Sequence, residues 1–177
     1  LERAGRIHKA RHVLQDVDML RGACVSNLNL DLIAGLPGQE FAVWKRSLDA
    51  VGQLQPEHLS IYILDAEERS AWGRTPNVFR PDEEFAQFYL EACEVLSAAG
   101  YHHYEISNWA KPGFECLHNL RYWNRLPYQG FGVGAHAFDG ASRSWNTTSM
   151  ADYARRIDSG ASVVLPRPDR TRTPAEV

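Results

Sequence analysis

The sequence predicts an α/β fold in which short strands alternate with helices and then give way to a region of glycine- and aromatic-rich loops and short strands. Three observations carry this. Leu28-Asn29-Leu30-Asp31-Leu32-Ile33 is a short apolar run with one carboxylate inside it, closed by the turn residues Gly35, Leu36, Pro37 and Gly38. Two further strand-like runs, 59–64 and 101–107, are each preceded by a segment of helical periodicity. Beyond Ser107 the periodicity stops and tryptophans, histidines and glycines take over. Strand, helix, strand, helix, strand argues for right-handed βαβ units with parallel strands.

Each element has its own signal. Residues 8–22 place Val13, Val17 and Leu20 at helical spacing between charged residues, with Gly22 as the stop. In the run that follows, Leu28, Leu30 and Leu32 share one face while Asn29, Asp31 and Ile33 share the other, as expected of a barrel strand with helices outside and a ligand-filled lumen inside. Phe41, Trp44, Leu48 and Val51 recur at intervals of three and four, the stripe of a helix over 41–54 that packs into a core. Pro56 breaks it, and 59–64 alternates again, with Ser60 and Tyr62 on one face. After a loop over 65–80, Pro81-Asp82-Glu83-Glu84 supplies proline and acids to the first turn of a helix that Gly100 ends.

Tyr101 to Ser107 reads as a third strand, with His103, Glu105 and Ser107 on one face and Tyr104 and Ile106 on the other. Asn29, Asp31, Ser60, Tyr62, Glu105 and Ser107 are thus expected to line one lumen. The later segment holds Trp109, Trp123 and Trp145 with His118 and His136 among glycines, a composition suited to a large flat ligand. A last helix is expected at about 149–159. The division this implies is 1–110 for the strand and helix units and 111–177 for the loop region, the last helix and the start of a further domain. Leu1 in place of methionine and the helix-start signal Thr173-Pro174-Ala175-Glu176 read as a piece of a longer protein.

Composition narrows the function. In 177 residues, 44% hydrophobic and 23% charged is a globular balance, and a net charge of −3 gives no basic field to gather nucleic acid or hold an anionic membrane. The three cysteines, Cys24, Cys93 and Cys116, match neither a disulfide framework nor a zinc ligand set, which favours a reducing, cytoplasmic setting. No apolar run approaches a membrane span. His102, His103, His136 and Cys116 match no standard metal spacing and read as structural.

Taken in order, NLDLIAGLPGQ, PEHLSIYIL, YEISNWAKPGFECLHNLRYW, GFGVGAHAF and RSWN resemble the oxygen-independent coproporphyrinogen oxidase-like branch of the radical SAM enzymes, and within it the HemW-type haem chaperones. The resemblance covers nearly the whole chain. It implies the second half of a partial (β/α) barrel for S-adenosylmethionine and a [4Fe-4S] cluster, and the family's CxxxCxxC cluster motif is not in this sequence. The cluster and S-adenosylmethionine therefore belong to the intact protein, and this segment alone requires no cofactor.

Carried over by position, Asp31 matches the strand carboxylate that contacts S-adenosylmethionine, Arg6 an upstream arginine that contacts it, and Asp65 a further contact position that need not depend on side-chain type. An acid accepts hydrogen bonds from ammonium or hydroxyl groups, and an arginine grips a carboxylate bidentately. His118, Asn119, Tyr122 and Trp123 match the HNxxYW motif linked in those chaperones to haem, with His118 the candidate iron ligand and Tyr122 and Trp123 as cover for a porphyrin face. Surface charge for Arg6, a solvated acid for Asp31 and a loop hydrogen bond for His118 are the bland readings beside these. Ala66 to Ser70 departs from the Pro-Gly-Thr segment common in relatives.

The resemblance implies a chaperone that binds haem and delivers it to an acceptor protein. Coproporphyrinogen III oxidation is the enzymatic alternative, and a ligand-free structural or binding segment is the third. A half barrel exposes strand edges, so a homodimer through such an edge is expected.

Overall fold

The computed structural model describes residues 7–65, 74 and 81–165. The chain divides into two compact units, Leu1–Glu115 and Cys116–Val177.

The first unit runs α1 (Ala10–Gly22), β1 (Asn29–Ala34), α2 (Phe41–Leu54), β2 (His58–Ile63), α3 (Asp82–Ala98), β3 (His102–Glu105) and β4 (Asn108–Ala110). β1 and β2 pair in parallel with Asn29 opposite His58 and Asp31 opposite Ser60, the expected βαβ crossover. One face of the sheet is apolar because the period of two sends Leu30, Leu32, Ala34, Leu59, Ile61 and Trp109 to the same side, where they meet Trp44, Leu48 and Val51 of α2 and Phe88, Ala92 and Leu96 of α3. The indole N–H of Trp44 donates to the Phe88 carbonyl at 2.8 Å, so this side chain is both packed and satisfied. Of the predicted α2 stripe, Trp44, Leu48 and Val51 are buried, while Phe41 is 40% exposed and meets Phe88 edge-on.

Gly35 follows β1 at φ +79°, and a Cβ there would overlap the Phe85 ring, so the turn needs glycine on both counts. At the other end of the strands, Glu57 accepts from the Leu28 N–H at 2.9 Å and from Arg21 of α1 at 2.8 Å, tying helix and strand starts together.

The third strand differs from the expectation of a continuous run over 101–107. Chain direction reverses at Ile106 and Ser107, and β4 returns antiparallel to insert between β2 and β3, giving the order β1-β2-β4-β3. The register shifts between His103 and Glu105, a bulge that breaks alternation. His103 therefore stacks on Trp109, with ring centroids 4.1 Å apart, while Glu105 lies opposite Asn108, so His103, Glu105 and Ser107 do not share a face.

The second unit holds α4 (Leu117–Trp123), β5 (His136–Phe138), β6 (Arg143–Asn146), α5 (Met150–Asp158) and β7 (Val164–Leu165). Its three strands form an antiparallel sheet in the order β5-β6-β7. Asn146 is buried and donates to the carbonyls of Gly130 and Gly132, at 3.3 and 2.8 Å, pinning the glycine loop to β6. At Gly130 a Cβ would run into the His136 backbone. Ser149 caps α5 by accepting from the Asp152 N–H at 3.3 Å, and Asp152 in turn pairs with Arg155 and Arg156. Among the described residues, no helix is long and apolar enough to cross a membrane.

Candidate functional sites

Two regions carry polar chemistry, one in each unit. In the first, the sheet face opposite the helices bears Asn29, Asp31, His58, Ser60, Tyr104, Glu105 and Asn108. Asp31 is exposed at mid-strand, and the Asn29 amide donates to its Oδ1 at 2.7 Å. Asn29 Oδ1 in turn receives Ser60 Oγ at 3.3 Å and lies 2.7 Å from His58 Nδ1. His58 Nε2 lies 2.7 Å from the Tyr104 hydroxyl. The bulge after His103 makes this possible by bringing Tyr104 round to the polar face beside Glu105, which accepts from the Asn108 amide and from the Ser107 N–H. Burial holds the His58 imidazole below its ordinary value of 6.5, against the opposing pull of the Asp31 and Glu105 carboxylates.

Of the expected lumen residues, Asn29, Asp31, Ser60 and Glu105 are on this face, and Tyr62 is half exposed near the end of β2. Asp65 lies exposed past the end of β2, beyond the level of Asp31. Arg6 and the Ala66 to Ser70 departure lie outside the described residues. The sequence reading missed His58 and Tyr104. His58 precedes the alternating run it belongs to, and Tyr104 is assigned to the wrong face unless the bulge is known.

In the second unit, α4 borders a cleft of about 870 Å³ that His118 and Arg121 line with Tyr128, Phe138 and Asn146. That volume is in the upper part of the range of roughly 300–1,000 Å³ usual for small-molecule pockets. The HNxxYW residues fall on a helix, so the four-residue spacing stacks them in two pairs. His118 and Tyr122 form one, ring centroids 4.9 Å apart and nearly perpendicular, and Tyr122 continues to Tyr128 at 4.4 Å. Asn119 and Trp123 form the other pair of positions, about 100° around the helix. Tyr122 and Trp123 are therefore about 100° apart around α4. Both remain exposed, at 43% and 52%. Arg121 donates to the Pro127 carbonyl at 3.0 Å, which holds its guanidinium at the cleft.

The remaining histidines have local roles: His102 is 3.8 Å from Glu115, and His136 is beside Trp145. Cys24 is exposed, and Cys93 and Cys116 are partly buried. Among the described residues, no group of three or more histidine, cysteine or acidic side chains is arranged to hold a metal ion.

No family model matches the chain. It is similar to a protein named Heme chaperone HemW from Synechocystis, 35% identical over 176 residues that make up 97% of this chain and 43% of that protein. A protein of the same name from Bacillus subtilis is 37% identical over 157 residues, 86% of this chain and 41% of that one. One from Escherichia coli is 38% identical over 136 residues, 77% and 36% respectively. The chain thus spans about two fifths of the length of the curated relatives it matches. Among solved structures it superposes on coproporphyrinogen III oxidase (HemN) of Escherichia coli, a radical SAM enzyme, with a TM-score of 0.74 at 17% identity, over 92% of this chain and 41% of that one. That likeness establishes the α/β fold class and matches part of the radical SAM fold.

Proposed function

We propose that this HemW/HemN-like radical SAM chain is part of a haem chaperone, which binds haem at the α4 cleft and S-adenosylmethionine at the polar sheet face and passes haem to an acceptor protein. The observation that carries the reading is the His118 side of α4. It offers an exposed imidazole, a guanidinium and the Tyr128 ring lining one cleft of adequate size, with Tyr122 in ring contact with both His118 and Tyr128.

The donor set fits the group. A neutral imidazole suits haem iron, tyrosine rings suit a porphyrin, and Arg121 is placed to pair with a propionate. Bound haem would supply an iron centre that a protein nitrogen can ligate. His118 would give that nitrogen, Tyr122 would limit rotation of the imidazole by its edge contact, and Arg121 would orient the anionic edge.

On the sheet face, Asp31 would accept from the ammonium or hydroxyl groups of S-adenosylmethionine, with Arg6 as its carboxylate partner and Asp65 as an outlying contact. The residues described here do not fit a [4Fe-4S] cluster; in the intact protein the cluster requires cysteines from elsewhere. Among the described residues the outer edge of β1 has no strand beside it, which suits pairing with a second copy if this segment is stable by itself, and sedimentation of the segment as a monodisperse monomer would count against that.

The decisive experiment is a haem titration of the intact protein by visible absorbance, beside His118→Ala and a coproporphyrinogen decarboxylation assay. Saturable binding weakened by the substitution, without decarboxylation, is the expected result. Decarboxylation without stable haem binding would instead make the protein a coproporphyrinogen oxidase.

A further inference from the structure

The chain of contacts from Tyr104 to Asp31 has a direction, and chemistry fixes it. The Asp31 carboxylate only accepts, so the Asn29 side chain must turn its NH2 toward Asp31 Oδ1 and its oxygen toward His58. That oxygen also only accepts, so His58 carries its proton on Nδ1. Nε2 of the neutral ring is then the acceptor for the Tyr104 hydroxyl. All three links are 2.7 Å long.

Asn29 is exposed and by itself could flip its amide, presenting oxygen instead of nitrogen to Asp31. With its NH2 turned to Asp31, two donors hold the amide oxygen: His58 Nδ1–H, from a residue that is 6% exposed and reaches between β1 and the bulged β3, and Ser60 Oγ–H at 3.3 Å. Asp31 sets the polarity of the amide, and the shorter His58 contact, with Tyr104 on the far side of the ring, holds the amide in place. The amide in turn engages one carboxylate oxygen of Asp31 and leaves the other to accept from a ligand.

We propose that His58 is a positioning residue that, through Asn29, fixes the direction in which the Asp31 carboxylate meets its ligand. It rests on the reading of Asp31 as a contact for the ammonium or hydroxyl groups of S-adenosylmethionine.

The test measures S-adenosylmethionine affinity by equilibrium dialysis in the intact protein carrying its cluster, for wild type, Asp31→Asn, His58→Leu and His58→Asn. The amide nitrogen of asparagine can stand in for Nδ1–H, whereas leucine removes the donor. His58→Leu is expected to weaken binding about tenfold, the scale of one lost hydrogen bond at a charged contact, and His58→Asn to restore most of it. Loss in Asp31→Asn with wild-type affinity in His58→Leu would overturn the positioning role and spare the reading of Asp31. Unchanged affinity in Asp31→Asn would overturn that reading and the proposal with it. Loss in both His58 variants would overturn the donor role. Should His58→Leu fail to fold, ¹⁵N spectra of the wild-type imidazole decide: a neutral ring protonated at Nδ1 supports the proposal, and protonation at Nε2 overturns it.

Discussion

The two units are stabilised by different physics. In the first, Trp44, Leu48, Leu59, Ile61, Phe88, Leu96 and Trp109 are almost completely withdrawn from water between two helices and a sheet. In the second, Phe138 is the one buried apolar side chain among the described residues, and Asn146 and Thr147 are buried with it. Leu117, Phe131, Met150 and Ile157 there are all more than half exposed. The first unit is thus a packed scaffold that can hold a polar face in fixed geometry. The second is a set of turns, caps and short strands whose shape depends on individual hydrogen bonds, and it has apolar surface to offer a ligand or partner.

The contrast can be broken most directly in the core. Trp44→Ala removes a buried tryptophan and its bond to Phe88, and should cost about 3–5 kcal/mol in denaturant unfolding. Hydrogen exchange should show that loss in β1 and β2. Equal loss of protection in β5 and β6 would mean that the units unfold as one.

Asn146→Ala is the counterpart in the second unit. Losing both amide bonds to the glycine loop should cost about 1–3 kcal/mol and raise exchange at Gly130 to Gly134. A negligible effect would show that this unit has an apolar core after all. Glu57→Gln weakens the junction of α1 with β1, where the carboxylate accepts from Arg21 and Leu28, and should cost about 1–2 kcal/mol.

Acid should separate the units by pH. His58 has its folded value below 6.5, so between that value and 6.5 the unfolded chain binds more protons; its contribution is full above 6.5 and lost as pH falls. For Glu57, burial pushes the carboxyl up, but the Leu28 N–H and Arg21 outweigh burial and leave it below 4.5. Its contribution is present above 4.5 and lost as pH falls through the lower folded value. Unfolding midpoints of the first unit should therefore decline from about pH 6.5 downward, and His58→Asn should flatten the upper part of that decline.

The smallest effect is expected from Asp152→Asn. Arg156, burial and then Thr147 and Arg155 bear on this carboxyl, with the hydrogen bonds holding it below its usual range. Its side chain is 19% exposed and both of its ion pairs lie within one capped helix, so the midpoint of the second unit should move little and the difference should shrink at high salt.

Much of the first unit was legible because its signals are local. The spacing of Trp44, Leu48 and Val51 and the alternation from Leu28 to Ile33 are periods of 3.6 and 2, readable from any chain. They placed α2, β1, β2 and the polar side of β1 that carries Asp31. A seven-residue helix around His118 was less legible, because its sequence has glycines and proline on both sides and one apolar stripe too short to show a period.

What the tertiary structure alone decided is the partnership across strands. The insertion of β4 between β2 and β3, the bulge that turns Tyr104 toward His58, and the pairing of Asn29 with His58 across 29 positions of sequence all arise from contacts between distant segments. A side-chain period says which residues share a face of their own strand. It cannot say which strand will lie alongside, and hydrogen bonds between strands, such as that of His58 with Asn29, are made only after that choice.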